Sequence, residues 1–187
     1  MCSRSLTGDE AKEFTQIVIA RDGLAVVMNT ANPVTAVKTE QLRDIFSGKI
    51  KNWKEIGGKD EAIHPITREE GSGTRESMEK LVMGKDKISR GALVQESSGA
   101  VKELVKSNPA AIGYMSLGLV GKEVKALTVD GTEATAANVH DNKYKLVRPF
   151  LFVTKGPPSP PAQAFIDFVL SPDAQKQLES EGLIRAK

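Results

Sequence analysis

Short apolar runs alternate along this chain with stretches whose apolar residues recur every three or four positions, so strands and helices are predicted to take turns. Residues 17–20 and 24–28 are two such runs, separated by Arg21-Asp22-Gly23, and are predicted as buried strands. Residues 63–67, 111–115 and 124–129 are further strands, the last closed by the turn Asp130-Gly131. The longest strand candidate is 146–154, where Pro149 places the start at a sheet edge or a crossing point. Between them, Thr7-Gly8-Asp9-Glu10 has capping-box spacing and opens a short helix. Thr39 caps a helix with Leu42, Ile45 and Phe46 on one face and Gly48 as its stop. A third helix follows Gly71-Ser72-Gly73-Thr74 and carries Met78, Leu81 and Val82. Ser98 caps a fourth, with Val101, Leu104 and Val105 inward and Asn108-Pro109 ending it. The stiff loop Gly156-Pro157-Pro158-Ser159-Pro160-Pro161 feeds a helix with Phe165, Phe168 and Val169 inward, and Ser171-Pro172-Asp173 starts the last one. The alternation predicts an α/β fold with a largely parallel sheet.

Composition narrows the function classes. The 187 residues carry 26 Lys plus Arg against 24 Asp plus Glu, a formal charge of +2, which argues against a protein that wraps a polyanion. Aromatic residues make up 5%, too few for a nucleic-acid stacking platform. Trp53, beside lysines, is expected to cover a helix end, and the 49–54 segment to be a solvated face. A single cysteine, Cys2, excludes an internal disulfide and a cysteine-clustered zinc site. His64, just before Pro65, reads as a strand-edge residue and His140 as a solvated one. No metal site, cofactor or catalytic set is expected: no nucleophile–base pair or carboxylate cluster can be assembled. No apolar run approaches the ~18 residues of a membrane span, and the opening Met1-Cys2-Ser3-Arg4-Ser5-Leu6 does not read as a signal peptide.

The segment Arg68-Glu69-Glu70-Gly71-Ser72-Gly73-Thr74 carries the chemistry. A strand runs into a glycine-flanked serine and then a helix, whose first-turn N–H groups and positive dipole end suit an oxyanion. Ser72 and Thr74 add hydroxyls, and Arg68 can add a fork matched to phosphate geometry. The alternative is a merely capped helix start with Arg68 pairing Glu70 on the surface; the local pattern leaves both open. Other motifs fail on particular residues. No lysine follows Gly73 as a nucleotide P-loop requires, and Glu70 stands where a nucleophile elbow around Ser72 needs glycine.

An ordered set of segments then resembles a known family. Asp22-Gly23-Leu24-Ala25-Val26-Val27, Asn32-Pro33-Val34, the run from Thr39 to Gly48, Asn52-Trp53, the Arg68 to Thr74 segment and Asn108-Pro109-Ala110-Ala111-Ile112-Gly113-Tyr114 follow one another as in the phosphate-binding subunits of phosphate ABC importers. The resemblance implies an α/β periplasmic-binding-protein fold of the second type: one complete lobe, residues 30–147, plus the remainder of another, 1–29 and 148–187. It also implies that Arg68, Ser72, Gly73 and Thr74 hold inorganic phosphate, that Glu70 orients Arg68, and that Gly71, Arg4 and Ser3 lie at the cleft. Many members have aspartate where Arg4 stands, so Arg4 would be a second cation there.

By the same resemblance the protein is a periplasmic or cell-surface receptor delivering phosphate to permease subunits. An oxyanion sensor, or a sulfate, tungstate or molybdate receptor on this fold, is the alternative. The family's N-terminal portion is expected to be missing, including a loop that donates about three hydrogen bonds to phosphate. Its loss is worth about 4–5 kcal/mol, or about a thousandfold in affinity. An incomplete lobe is further expected to leave 17–20 and the Phe165/Phe168 helix exposed and prone to self-association.

Overall fold

The computed structural model describes residues 2–186. The first element is α1 (Glu10–Glu13), opened by the expected reciprocal bonds: Thr7 N–H donates to Glu10 Oε2 at 2.7 Å and Glu10 N–H to Thr7 Oγ1 at 3.4 Å. It leads into β1 (Thr15–Asn29), a single strand of 15 residues where two were expected. Arg21-Asp22-Gly23 does not break it, because Asp22 and Gly23 are paired to a neighbouring strand and Asp22 is buried with a partner.

Short β2 (Ala36–Val37) precedes α2 (Thr39–Ser47), followed by a tight 3-10 turn at Trp53–Ile56 and then β3 (His64–Arg68). Next come α3 (Gly73–Met78), running directly into a π-helical turn Glu79–Met83, then β4 (Leu93–Gln95), α4 (Ser98–Ser107) and β5 (Ala111–Ser116). The predicted strand 124–129 is two short ones, β6 (Val124–Ala126) and β7 (Thr128–Val129). The chain ends with α5 (Ala136–His140), β8 (Val147–Thr154), α6 (Pro160–Val169), α7 (Pro172–Ser180) and β9 (Ile184–Arg185).

The class is α/β as expected, but the sheet is mixed rather than largely parallel. Its order is β4-β3-β5-β1-β6, with β8 and β9 also paired to β1, and β2 and β7 form a separate parallel pair. Only β3 with β4 and β3 with β5 run parallel in the main sheet. The reason is β1, which is antiparallel to all four of its partners. Its first part pairs β8 from Thr15↔Thr154 to Gly23↔Val147; its second part pairs β5 from Leu24↔Ser116 to Met28↔Ile112. The crossing pair expected between 24–28 and 149–154 therefore exists in a different register, using 15–23. Residues 24–28 turn instead to β5.

Strand alternation in β1 divides the core. Leu24, Val26 and Met28 face one cluster with Leu42, Ile45 and Phe46 of α2, Met78 of α3 and Trp53; Ala25 and Val27 face the other with Val101 and Val105 of α4. Trp53 is fully buried and donates Nε1–H to Ala110 O at 3.0 Å, so it is a core anchor rather than a cover on a helix end. Tyr144 donates its hydroxyl to Leu24 O at 2.9 Å, beside the point where β1 changes partners.

Cap positions differ by one residue from the sequence reading. Ser97, not Ser98, caps α4, accepting from Ala100 N–H at 3.1 Å. At α2 the Lys38 N–H is taken by Gln41 Oε1, and Thr39 bonds Asp130 instead. On α6 the inward residue is Ile166, while Phe165 and Phe168 are 56% and 65% exposed. The expected exposure of this helix thus holds and its expected inward face does not. Of 17–20, Ile19 and Ala20 are buried while Val18 is exposed. Among the described residues no helix is long and apolar enough to cross a membrane.

Two glycines lock the C-terminal turn against the loop after β5. Gly182 has φ +83°, and a Cβ on Gly118 would stand 2.6 Å from Gly182 Cα. Gly182→Ala adds a strained backbone and a backbone collision, so it is expected to lower stability by about 1–3 kcal/mol, read as a lower urea midpoint with unchanged slope.

Candidate functional site

The turn at 71–74 is built as its residue types require. Gly71 takes φ +85°, a left-handed conformation that favours glycine, and brings the chain round from β3 into α3. Ser72 is the N-cap: its Oγ accepts from Arg75 N–H at 3.4 Å while its carbonyl accepts from Glu76 N–H at 2.9 Å. Ser72 and Thr74 are both buried, 6% exposed, and α3 with its π-helical extension forms one continuous helix over 73–83. The amides of Gly73 and Thr74 lie in its first turn, where no helical carbonyl reaches them. Two hydroxyls and two first-turn amides thus share one turn.

Ser3 comes to this turn from the far end of the sequence. Cys2 exchanges both backbone bonds with Leu151 of β8, N–H to O at 2.8 Å and O to N–H at 2.7 Å, which lays the opening segment along β8. A Cβ on Gly73 would collide with Ser3 Oγ and would stand 3.5 Å from Arg148 Nη1. A side chain at Gly73 would therefore require Ser3 Oγ to turn aside where the opening segment and β8 close over the helix start.

The other candidate residues are placed less simply. The Arg68 guanidinium is held at the junction of β4 and α4. Nε and Nη2 donate to the two oxygens of Glu69, each at 2.9 Å; Nη1 donates to Ser98 Oγ, and the carbonyls of Gln95 and Glu96 accept further bonds. This fork holds the Glu69 carboxyl below its ordinary range. Glu69, not Glu70, orients Arg68. Glu70 is exposed, with its nearest cationic partner Arg75 at 4.0 Å.

Arg4 lies beside α3 but is not an open cation. It makes two bonds to Glu10, 2.7 and 2.8 Å, and lies 3.4 Å from Glu76 on α3. With the Thr7 N–H these bonds hold the Glu10 carboxyl down at about 2. Arg4, Ser5, Ser77, Lys80 and Arg148 line a cavity of about 120 Å³ between the opening segment, α3 and β8. Three residues that the sequence reading did not single out complete this region: Asp22, Arg148 and Ser116. Asp22 is fully buried; its Oδ2 accepts from Arg148 Nε at 3.0 Å and Nη2 at 2.8 Å, and its Oδ1 from Ser116 Oγ at 2.7 Å. A signal existed in the sequence: an aspartate heading one apolar run and an arginine within another are unpaired charges in strands until set opposite each other.

The model for the PBP superfamily domain matches residues 1–173. This chain belongs to the PBP superfamily. Its likeness to particular proteins runs over nearly its whole length. The phosphate-binding protein PstS of Bacillus subtilis is 34% identical over 93% of this chain, which spans 58% of that protein. An ABC-type phosphate transport receptor from Vibrio cholerae superposes with a TM-score of 0.91 at 40% identity, covering 98% of this chain and 78% of that one. A Clostridium perfringens protein solved with bound phosphate gives 0.88 at 40% identity, covering 100% and 78%. The type 2 binding-protein fold expected from the sequence is thereby shown, and among the described residues of this PBP-superfamily chain no metal-holding group of His, Cys, Asp or Glu occurs.

The close approach of Ser3 to Gly73 can be tested by hydrogen exchange. Gly73→Ala is expected to push the opening segment off the helix start and to speed amide exchange at Cys2 and Leu151. Unchanged exchange would mean that Ser3 yields by side-chain rotation alone.

Proposed function

We propose that this chain holds inorganic phosphate as part of an extracytoplasmic solute receptor, one that hands the anion to the permease subunits of an ABC importer. One observation carries the reading: a single turn gathers two buried hydroxyls, Ser72 and Thr74, around the first-turn amides of the helix 73–83. Such a group offers several short donors to a tetrahedral oxyanion while the helix dipole favours its charge. The names of the relatives support phosphate as that anion.

The proposed ligand set is Ser72, Gly73, Thr74 and Arg68. Phosphate offers the Arg68 fork the same pair of oxygens that Glu69 offers now, so Arg68 joins by exchanging one anion for another. Gly71 and Glu70 shape the turn, and Ser3 approaches Gly73 from the opening segment. The work is capture and release, for which these donors suffice; no bond in the anion is broken. The lobes proposed are 30–147 and 1–29 with 148–187. The change of partners along β1, from β8 at Gly23 to β5 at Leu24, supports a hinge beside those limits. The exposed Phe165 and Phe168 face of α6 supports a contact surface, here proposed for self-association.

Calorimetric titration with inorganic phosphate tests the reading. Saturable binding is expected, with sulfate, tungstate and molybdate competing more weakly. Thr74→Val, which keeps the volume and removes a donor, should raise Kd by about ten- to a hundredfold. Arg68→Ala should remove most of the binding. Heat from phosphate no greater than from chloride would sink the assignment.

A further inference from the structure

We propose that Arg148 is an additional anion-contacting residue of this cradle, and that Asp22 is the residue that positions it. The inference rests on the phosphate reading and adds a residue to it. Four arginines approach the region, and the structure separates them by what their nitrogens already hold; Arg75 gives Nε to Glu79 and Nη1 to the Arg68 carbonyl. Arg4 gives its fork to Glu10, and Arg68 gives its fork to Glu69. Arg148 differs: Nε and Nη2 both turn to one oxygen of Asp22, on the edge of the guanidinium away from Nη1. Nη1 makes no hydrogen bond to another described residue and stands 3.5 Å from the place a Cβ on Gly73 would take.

Nothing about this placement is loose. The Arg148 side chain is 9% exposed, and its guanidinium carbon lies 5.2 Å from the centre of the Phe150 ring. Asp22 and Arg148 are direct partners in the β1–β8 register, and Ser116 fixes the second oxygen of Asp22 from β5. A pair serving only to join the strands would need no donor beyond those meeting Asp22. Here the remaining nitrogen stands near the helix start, on the side of Gly73 that Ser3 Oγ also approaches. The charge of Asp22 offsets that of Arg148 at a distance, so its effect on an anion is short-ranged and directional. A tetrahedral oxyanion seated on the Gly73 and Thr74 amides would meet it.

Two variants test this with inorganic phosphate as the probe. Arg148→Lys keeps the charge and one bond to Asp22 but loses Nη1. Asp22→Asn combined with Arg148→Gln replaces the ion pair by a neutral one, so that no buried charge is stranded. Each variant that keeps the far-ultraviolet spectrum and cooperative unfolding of the unchanged chain is expected to bind phosphate at least tenfold more weakly. In the unchanged chain the Arg148 side-chain N–H signal should shift on phosphate addition, which a purely strand-joining role would not produce. A folded variant binding phosphate as tightly as the unchanged chain, or an Arg148 signal that stays still at saturation, overturns the inference and leaves the receptor reading standing. An unchanged chain that binds no phosphate overturns both.

Discussion

The buried pair between Asp22 and Arg148 is the constraint on which the rest of the site depends. It joins β1 to β8 at the point where β1 leaves one set of partners for another. A carboxylate with no exposure is tolerable only because three donors meet it, two from Arg148 and one from Ser116. Removing one partner from such a pair typically costs about 3–5 kcal/mol, whereas replacing both can cost little. The pair therefore says less about how stable the fold is than about which register it adopts. Once β8 is fixed, Leu151 seats Cys2, and Ser3 comes to rest against Gly73.

Around the cradle, internal carboxylates already satisfy the cations nearest to hand. Glu69 occupies the Arg68 fork and Glu10 that of Arg4, and both carboxyls are held below their ordinary range by those arginines. For Glu10, the folded value of about 2 lies below the ordinary 4.5. Its tie to Arg4 is thus fully formed above the ordinary value and is lost as pH falls through about 2. Both groups are solvent-facing, so water and salt moderate these ties. In the proposed reading an external anion would compete with a carboxylate for Arg68 but would meet no such competitor at the amides of Gly73 and Thr74.

Where local chemistry decides, the sequence was legible. Gly71, Ser72, Gly73 and Thr74 make the turn and cap their residue types demand, and the capping box at Thr7 and Glu10 forms as its spacing implies. The reading failed where a choice depended on a remote partner. Glu69 and Glu70 are alike in sequence, and only the position of β4 and α4 gives the first to Arg68. Thr39 is a good cap by type, yet Asp130, ninety-one positions on, takes its hydroxyl. Phe165 and Phe168 have helix spacing for a buried face, but Ile166 is the residue that is buried, Phe165 only resting an exposed ring against Phe152.

By itself the sequence determined the alternation of strands and helices, the glycine-flanked Ser72 turn and cap, and the family, since these rest on neighbours three or four residues apart or on ordered motifs. Tertiary structure alone decided that the sheet is mixed, that Arg68 is held by Glu69, and that Asp22 and Arg148 meet. The physical reason is separation along the chain: a strand's direction and a charge's partner are set by pairing across 126 positions in the last case. Such pairing is a property of register, and register exists only when strands lie side by side.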